Sequence, residues 1–170
     1  TTDKFIESLK IPSKIKICVM INAAEIIKFD KFEDNLKILK QLFKEKKKTK
    51  IKLIRIATHY DELLKILPLS KWLKKKGYMV AINLMQISSI NESEIKNFCN
   101  LANKHKIDII YFADSTGTLD GERTLRIVNL FKKYWSKHIG IHAHDNMDKA
   151  MENTLTAINN KINWVDSTVL

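Results

Sequence analysis

Six short runs of mostly apolar, β-branched residues alternate along this chain with longer segments that have one apolar face. The runs lie at residues 15–21, 51–58, 78–87, 107–114, 138–144 and 164–169. Strands that are apolar on both faces are typical of a parallel sheet covered by helices. Successive runs recur at about 30 residues, which is the length of a βα unit. The alternation therefore predicts an α/β fold built on one parallel sheet.

The segments between the runs show helical periodicity, which supports this prediction. Proline at position 68 and glycine at position 77 predict the start and the end of one further helix. The apolar stripes of the other four helices are Phe32, Leu36, Leu39 and Phe43; Ile95, Phe98, Leu101 and Ala102; Thr124, Val128, Phe131 and Trp135; and Met147, Met151, Leu155 and Ile158.

The number of strands limits the choice of fold. No glycine-rich phosphate turn follows the first run, which argues against a dinucleotide-binding fold. A (β/α)8 TIM barrel has eight strands, and this chain supplies six. We therefore predict a single partial TIM-barrel domain over residues 1–170, with about strands three to eight and the helices outside.

Composition narrows the class of protein. Apolar residues make up 45% of the chain, there are only four glycines and two prolines, and no apolar run is long enough for a membrane span or a signal peptide. We expect a soluble, cytoplasmic protein without a membrane partner. Cys18 and Cys99 lie far apart in the sequence, and we expect both to be reduced and buried.

The charge is strongly positive, at +11, but its composition argues against nucleic-acid recognition. Of the 30 basic residues only Arg55, Arg123 and Arg126 are arginines, whereas proteins that recognise nucleic acids favour arginine with interleaved aromatic residues. We expect no specific nucleic-acid partner, and only weak binding to polyanions that is lost at physiological salt.

Two histidines in the fifth predicted strand are the strongest chemical feature. His142 and His144 are two residues apart, so their imidazoles project from the same face of the strand. Spacing alone leaves open whether they bind a metal together or hydrogen-bond within the core. Gly140 on the same face leaves space inside a barrel. Asp145 is a candidate cap of the next helix, and Asn146 a candidate support for a ligand.

Other polar residues follow strands at the end where barrel enzymes have their active sites. Asp114 could orient a ligand histidine or a substrate group and Ser115 could bind a substrate carboxylate, or the two could simply cap a turn. His59 could line a substrate pocket. For Arg55 we favour an internal salt bridge, with Asp114 as a candidate partner.

Polar side chains also interrupt the apolar strands. Asn83 and Gln86 lie in the third run, where they either reach a substrate or satisfy one another inside the barrel. Asp166 and Thr168 share one face of the last run, and we expect them to form hydrogen bonds in the barrel mouth.

Three sequence blocks resemble a known family. They are residues 54–59 (IRIATH), 110–117 (IYFADSTG) and 140–146 (GIHAHDN), the last continued at 163–170 (NWVDSTVL). Together they resemble the pyruvate-carboxyltransferase-like metalloenzymes, also described as hydroxymethylglutaryl-CoA lyase-like, which are TIM barrels. The likeness is strongest to 4-hydroxy-2-oxovalerate aldolases and covers nearly the whole chain.

The resemblance implies a site. It implies that His142 and His144 bind Mn²⁺, Mg²⁺ or Zn²⁺ together with an aspartate of the first strand. That aspartate belongs to an Asp-Arg motif that this sequence does not contain. From their positions near the strand ends, we take Asp114 and His59 as the candidate catalytic residues, and Ser115, Asn83 and Arg55 as the candidate substrate contacts. Asp145 and Asn146, which follow the histidines, are the candidate supports of the metal ligands.

The activity implied is that of a metal-dependent aldolase acting on a 2-oxo acid, needing the missing first strands. One alternative is an acyltransferase that condenses acetyl-CoA with a 2-oxo acid, as isopropylmalate and homocitrate synthases do. Another is an incomplete barrel that serves as a binding module. The resemblance also suggests an aldehyde dehydrogenase partner. The absent strands predict unpaired edges on strands three and eight, through which copies of the chain would associate as a homo-oligomer.

Overall fold

The structure is a computed structural model that describes residues 2–167, with only the backbone of Thr2. Six parallel strands form one sheet, in which each strand pairs with the next one in the sequence. The sheet curls into a half-barrel whose first and last parts meet across the interior through Arg55 and Asp166. The predicted partial (β/α)8 barrel is confirmed.

The strands and helices alternate in the predicted order. The strands are β1 (Ile17–Asn22), β2 (Ile51–Thr58), β3 (Met79–Leu84), β4 (Ile109–Asp114), β5 (His138–Ala143) and β6 (Trp164–Val165). The α-helices are α1 (Thr2–Ser8), α2 (Ala23–Ile26), α3 (Phe32–Leu42), α4 (Leu63–Lys75), α5 (Glu92–Lys104), α6 (Gly121–Tyr134) and α7 (Ala150–Asn159). Single turns of 3-10 helix lie at Lys46–Lys48 and Ile87–Ser89.

Several strands are shorter than the sequence predicted. Gln86 falls outside β3, and it adopts a left-handed conformation in the loop that follows. His144 lies just after β5, and Asp166 just after β6. The prediction for Thr168 falls outside the described residues.

The predicted start of α4 was wrong. Pro68 lies inside this helix, which begins five residues earlier at Leu63. An internal proline removes a backbone hydrogen bond and costs about 3 kcal/mol. Leu63, Ile66 and Leu67 are nearly completely buried, and burying three such side chains outweighs that cost.

The core has two parts, one on each face of the sheet. The larger part lies between the strands and the helices, where Phe112 stacks on Phe131 of α6. The smaller part fills the concave face with Tyr111 and its neighbours Leu53, Ala81 and Ile109, against which Trp164 packs. A Cβ atom at Gly140 would lie 2.3 Å from the Tyr111 ring, so the space that this glycine leaves is occupied by the tyrosine.

The two cysteines differ in their surroundings. Cys99 is buried as predicted, and burial raises the pKa of its thiol to about 12. The prediction that Cys18 is buried was wrong. Cys18 and Met20 lie on the exposed face of β1, whose residues alternate between half-buried and exposed. This face points into the open half-barrel, where the charges of Arg55 and Asp166 act on the Cys18 thiol.

Both edges of the described sheet are open, as expected. β1 pairs with β2 alone and β6 with β5 alone among residues 2–167. Over the same range, none of the helices combines the length and the apolar character needed to cross a lipid bilayer.

Candidate functional site

Polar side chains collect at the carboxyl ends of the strands, where parallel α/β barrels place their sites. His142 is the fifth residue of β5, and its ring faces the interior of the half-barrel beside Asp166 of the neighbouring chain segment. Arg55 reaches the same point from β2 across the interior. A concave sheet therefore brings together residues that are far apart in sequence.

The two imidazoles of the predicted pair converge. The Nε2 atoms of His142 and His144 are 3.2 Å apart, and the ring centroids are 5.0 Å apart at an angle of 77°. Alternation along the strand explains why both rings emerge on one side. The predicted convergence is therefore present in the structure.

Asp166 joins this pair to the opposite wall. Its Oδ2 atom lies 2.6 Å from Nδ1 of His142 and 2.5 Å from Nη1 of Arg55. Partial burial raises the pKa of Asp166, but the hydrogen bonds from His142 and Arg55 and their charges outweigh this effect and hold the pKa below its usual range. The carboxylate is therefore ionised at neutral pH.

Arg55 is fixed on three sides. Besides binding Asp166, its Nη2 donates to Oδ1 of Asn83 at 3.0 Å, and its guanidinium carbon lies 3.9 Å above the centre of the Tyr111 ring. The internal salt bridge was predicted, but the proposed partner Asp114 was wrong. Asp114 is engaged in its own loop, whereas Asp166 faces the interior.

The histidine pair fits two positions of a divalent metal site. Imidazole nitrogens lie about 2.1 Å from a bound Zn²⁺, so two nitrogens on one ion are about 3.0–3.4 Å apart, as these two are. Asp166 occupies the position of the carboxylate that commonly orients a ligand histidine. Among residues 2–167 no group of three or more His, Cys, Asp or Glu side chains is placed to hold an ion. An open cavity of about 730 Å³ is lined by His142, Asp166 and the start of α7, and His144 is not part of its lining.

Comparison with known proteins identifies the family of this chain. The model of the HMGL-like family matches residues 42–170. The chain belongs to the HMGL-like family. A 4-hydroxy-2-oxovalerate aldolase from Brevibacillus brevis is 30% identical over 115 residues, which are 68% of this chain and 34% of that protein. The corresponding aldolase from Pelotomaculum thermopropionicum is 28% identical over 119 residues, or 70% of this chain and 35% of that protein.

Solved structures agree on the fold. Hydroxymethylglutaryl-CoA lyase from Bacillus subtilis superposes with a TM-score of 0.76 at 10% identity, and the match covers 98% of this chain and 57% of that one. At that identity the likeness concerns the fold alone. The matched region spans about a third of the length of the curated HMGL-like relatives.

Asp114, which was predicted to be catalytic, organises the loop after β4. It is 1% exposed, and its carboxylate accepts hydrogen bonds from the backbone N–H groups of Thr118 (3.1 Å) and Leu119 (3.0 Å). The hydroxyl of Thr116 lies 3.5 Å from the same carboxylate. These contacts favour the turn-forming alternative over contact with a ligand histidine.

We expect Asp114→Ala to destabilise the protein without weakening metal binding. Loss of the carboxylate leaves the buried N–H of Leu119 unpaired, which costs about 1–3 kcal/mol. Chemical denaturation would measure this loss, and titration with Mn²⁺ would measure the affinity. An affinity loss of tenfold or more in folded protein would contradict the structural role.

Ser115 and His59 lie in neighbouring loops. The Ser115 hydroxyl accepts the N–H of Gln86 at 3.1 Å and so supports the left-handed turn after β3. The backbone N–H of His59 donates to the Glu62 carboxylate at 2.8 Å, and its carbonyl accepts from the hydroxyl of Thr58. His59 therefore lies half-buried at the entrance to α4. The roles of both residues toward a substrate stay predictions.

The two residues after the histidines support the backbone. Asp145 accepts the N–H of Ala150, the first residue of α7, at 2.8 Å, but the N-cap position itself is Lys149, so Asp145 ties the preceding loop to the helix start without being its N-cap. Asn146 packs against Gly117, where a Cβ atom would lie 2.6 Å from its Oδ1 and where φ is +63°. Asn146 thus contacts the loop after β4. Its support of a ligand histidine stays a prediction.

The residue that sequence reasoning undervalued is Asp166. We predicted only that it forms hydrogen bonds in the barrel mouth, and the structure shows it bound to both a histidine of the pair and Arg55. The available signal was its place in the last predicted strand. In the structure Ile141 pairs with Val165, so the residues that follow, His142 and Asp166, are neighbours.

Proposed function

We propose that this chain forms part of a divalent-metal-dependent aldolase that cleaves a 4-hydroxy-2-oxo acid to pyruvate and an aldehyde, or catalyses the reverse reaction. The observation that carries the proposal is the convergence of His142 and His144, with Asp166 behind His142, at the carboxyl end of the sheet. The aldolase names of the HMGL-like relatives support the same chemistry.

The reaction needs a proton acceptor and an electron sink. As the bond between C3 and C4 breaks, the C4 hydroxyl loses its proton and becomes the aldehyde carbonyl, while the bonding electrons pass to C3 as pyruvate enolate, which is then protonated at C3. Mn²⁺, Mg²⁺ or Zn²⁺ at the pair would supply a Lewis acid for the oxygens of the 2-oxo acid. His142 and His144 would hold that ion.

Other residues of the chain would shape the site. His59 is the candidate proton acceptor for the C4 hydroxyl, because the unprotonated nitrogen of a neutral imidazole can act as a general base. Ser115 is the candidate contact for the substrate carboxylate. Arg55 and Asn83 would support the site from the inner face of the barrel, since Arg55 already binds both Asp166 and Asn83.

The wider setting is part of the same proposal. We propose that residues 1–170 belong to a single barrel domain in a soluble, cytoplasmic protein. The protein would form a homo-oligomer and associate with an aldehyde dehydrogenase that consumes the aldehyde. The +11 charge would bind polyanions only at low salt.

The test is an assay of the intact protein with 4-hydroxy-2-oxopentanoate. We expect pyruvate release, measured with lactate dehydrogenase and NADH, that requires Mn²⁺ and stops after chelation. Release of free thiol from acetyl-CoA and a 2-oxo acid, without cleavage of the hydroxy-oxo acid, would instead show an acyltransferase. Neither activity across several 2-oxo acids would contradict the enzymatic proposal and favour a binding module.

A further inference from the structure

One carboxylate oxygen links the two sides of the half-barrel. Oδ2 of Asp166 contacts both Nη1 of Arg55 and Nδ1 of His142. Arg55 belongs to β2 and His142 to β5, so the oxygen connects strands that are not neighbours in the sheet. The ion pair between Arg55 and Asp166 would by itself hold the two sides of the curled sheet together. The contact with the histidine is an additional feature.

The contact with His142 determines where its proton lies. A carboxylate only accepts hydrogen bonds, so the short contact requires the proton on Nδ1. In the neutral ring this leaves a lone pair on Nε2, the atom that faces His144. His144 must then donate from its own Nε2 in the metal-free protein. A single carboxylate therefore sets the tautomers of both rings.

Arg55 keeps the carboxylate in this place. Its guanidinium lies between the Tyr111 ring and the Asn83 amide, and its side chain is 9% exposed. Asp166 is less buried, with 27% of its side chain exposed, and it lies at the end of a two-residue strand. The arginine therefore supplies the rigidity that this short strand lacks.

We propose that Asp166, anchored by Arg55, is a positioning residue that holds His142 in the tautomer whose Nε2 is free to bind a divalent cation. This inference rests on the proposed function for the identity of the cation, but the effect on the tautomer is independent of it. A purely structural salt bridge would not control the protonation of the imidazole.

The first test uses the metal-free protein labelled with ¹⁵N-histidine. Long-range ¹H–¹⁵N spectra at a pH where His142 is neutral should show its proton on Nδ1. In Asp166→Ala the proton should distribute over both nitrogens. If the alanine variant does not fold, Asp166→Asn takes its place. Asparagine preserves the shape of the side chain but offers an N–H₂ group as well as a carbonyl, so both tautomers of His142 should again be populated. An unchanged Nδ1–H tautomer in a folded variant would overturn the proposal.

Asp108→Ala is the matched control. Asp108 forms a salt bridge with Lys74 at 2.5 Å and accepts the N–H of Val80, with the same 28% exposure on both ionic side chains. The Asp108→Ala variant therefore removes a comparable structural carboxylate at the amino ends of the strands, away from the histidine pair. We expect it to lower stability and to leave the His142 tautomer unchanged; a similar shift in this control would show that the tautomer only follows stability.

The second test is titration of the same variants with Mn²⁺. Loss of a carboxylate behind a ligand histidine weakens metal binding by about 10–100-fold, and we expect this for Asp166→Ala but not for Asp108→Ala. Unchanged affinity in Asp166→Ala would contradict a role in metal binding. If the wild type binds no Mn²⁺ while the tautomer shifts as expected, the proposed metal site fails and the positioning of His142 stands.

Discussion

Replacing His142 and His144 together with alanine should abolish Mn²⁺ binding and lower pyruvate release by at least about 1,000-fold. A metal that stabilises developing charge contributes several kcal/mol, and about 4 kcal/mol corresponds to a factor of 1,000. Each single variant removes one of the two converging nitrogens, so each should already weaken binding strongly. Calorimetric titration and the coupled pyruvate assay measure the two effects.

The control for this prediction is on the same strand. His138 begins β5 and is exposed, so His138→Ala removes an imidazole without touching the pair. We expect wild-type Mn²⁺ affinity in that variant. Undiminished Mn²⁺ binding in the double variant would refute the assignment of the pair as ligands, whatever its activity.

Replacing Arg55 with leucine should lower the free energy of unfolding by about 3 kcal/mol. Removing one partner of a buried ion pair leaves the other charge uncompensated, which typically costs about 3–5 kcal/mol. We expect the lower end of that range because Asp166 keeps some contact with solvent. Asn83 also loses its partner, and the Tyr111 ring loses its contact with the guanidinium.

Two further variants show whether the effect belongs to this pair. Arg55→Lys keeps the charge but cannot bind Asp166 and Asn83 with one planar group, so it should recover only part of the loss. Lys133→Ala removes a solvent-exposed ion pair with Glu92, which water and salt screen, so it should destabilise the protein far less than Arg55→Leu. Urea denaturation compares the three. Equal losses in Arg55→Leu and Lys133→Ala would contradict the role of Arg55 inside the barrel.

Much of the fold could be predicted from short-range patterns. The apolar runs gave six parallel strands in order, because strands covered by helices must be apolar on both faces. The same alternation predicted that His142 and His144 emerge together. These features depend on residues that are close in sequence, which is why the sequence alone was sufficient.

The parts that were missed depend on distant contacts or on competing local energies. Arg55 and Asp166 are 111 residues apart, and only the curl of the sheet brings them together. Asp114 was the predicted partner of Arg55, but its carboxylate accepts hydrogen bonds from the N–H groups of Thr118 and Leu119 in its own loop instead. At Pro68 the burial of neighbouring side chains outweighs the usual preference of proline for a helix start.

The histidine pair is tested most directly by anomalous diffraction from crystals of the protein soaked in Mn²⁺. We expect one strong peak within coordination distance of Nε2 of both His142 and His144, with Asp166 still bound to Nδ1 of His142. Two rings turned away from each other, or manganese bound elsewhere with no ion at the pair, would refute the metal site.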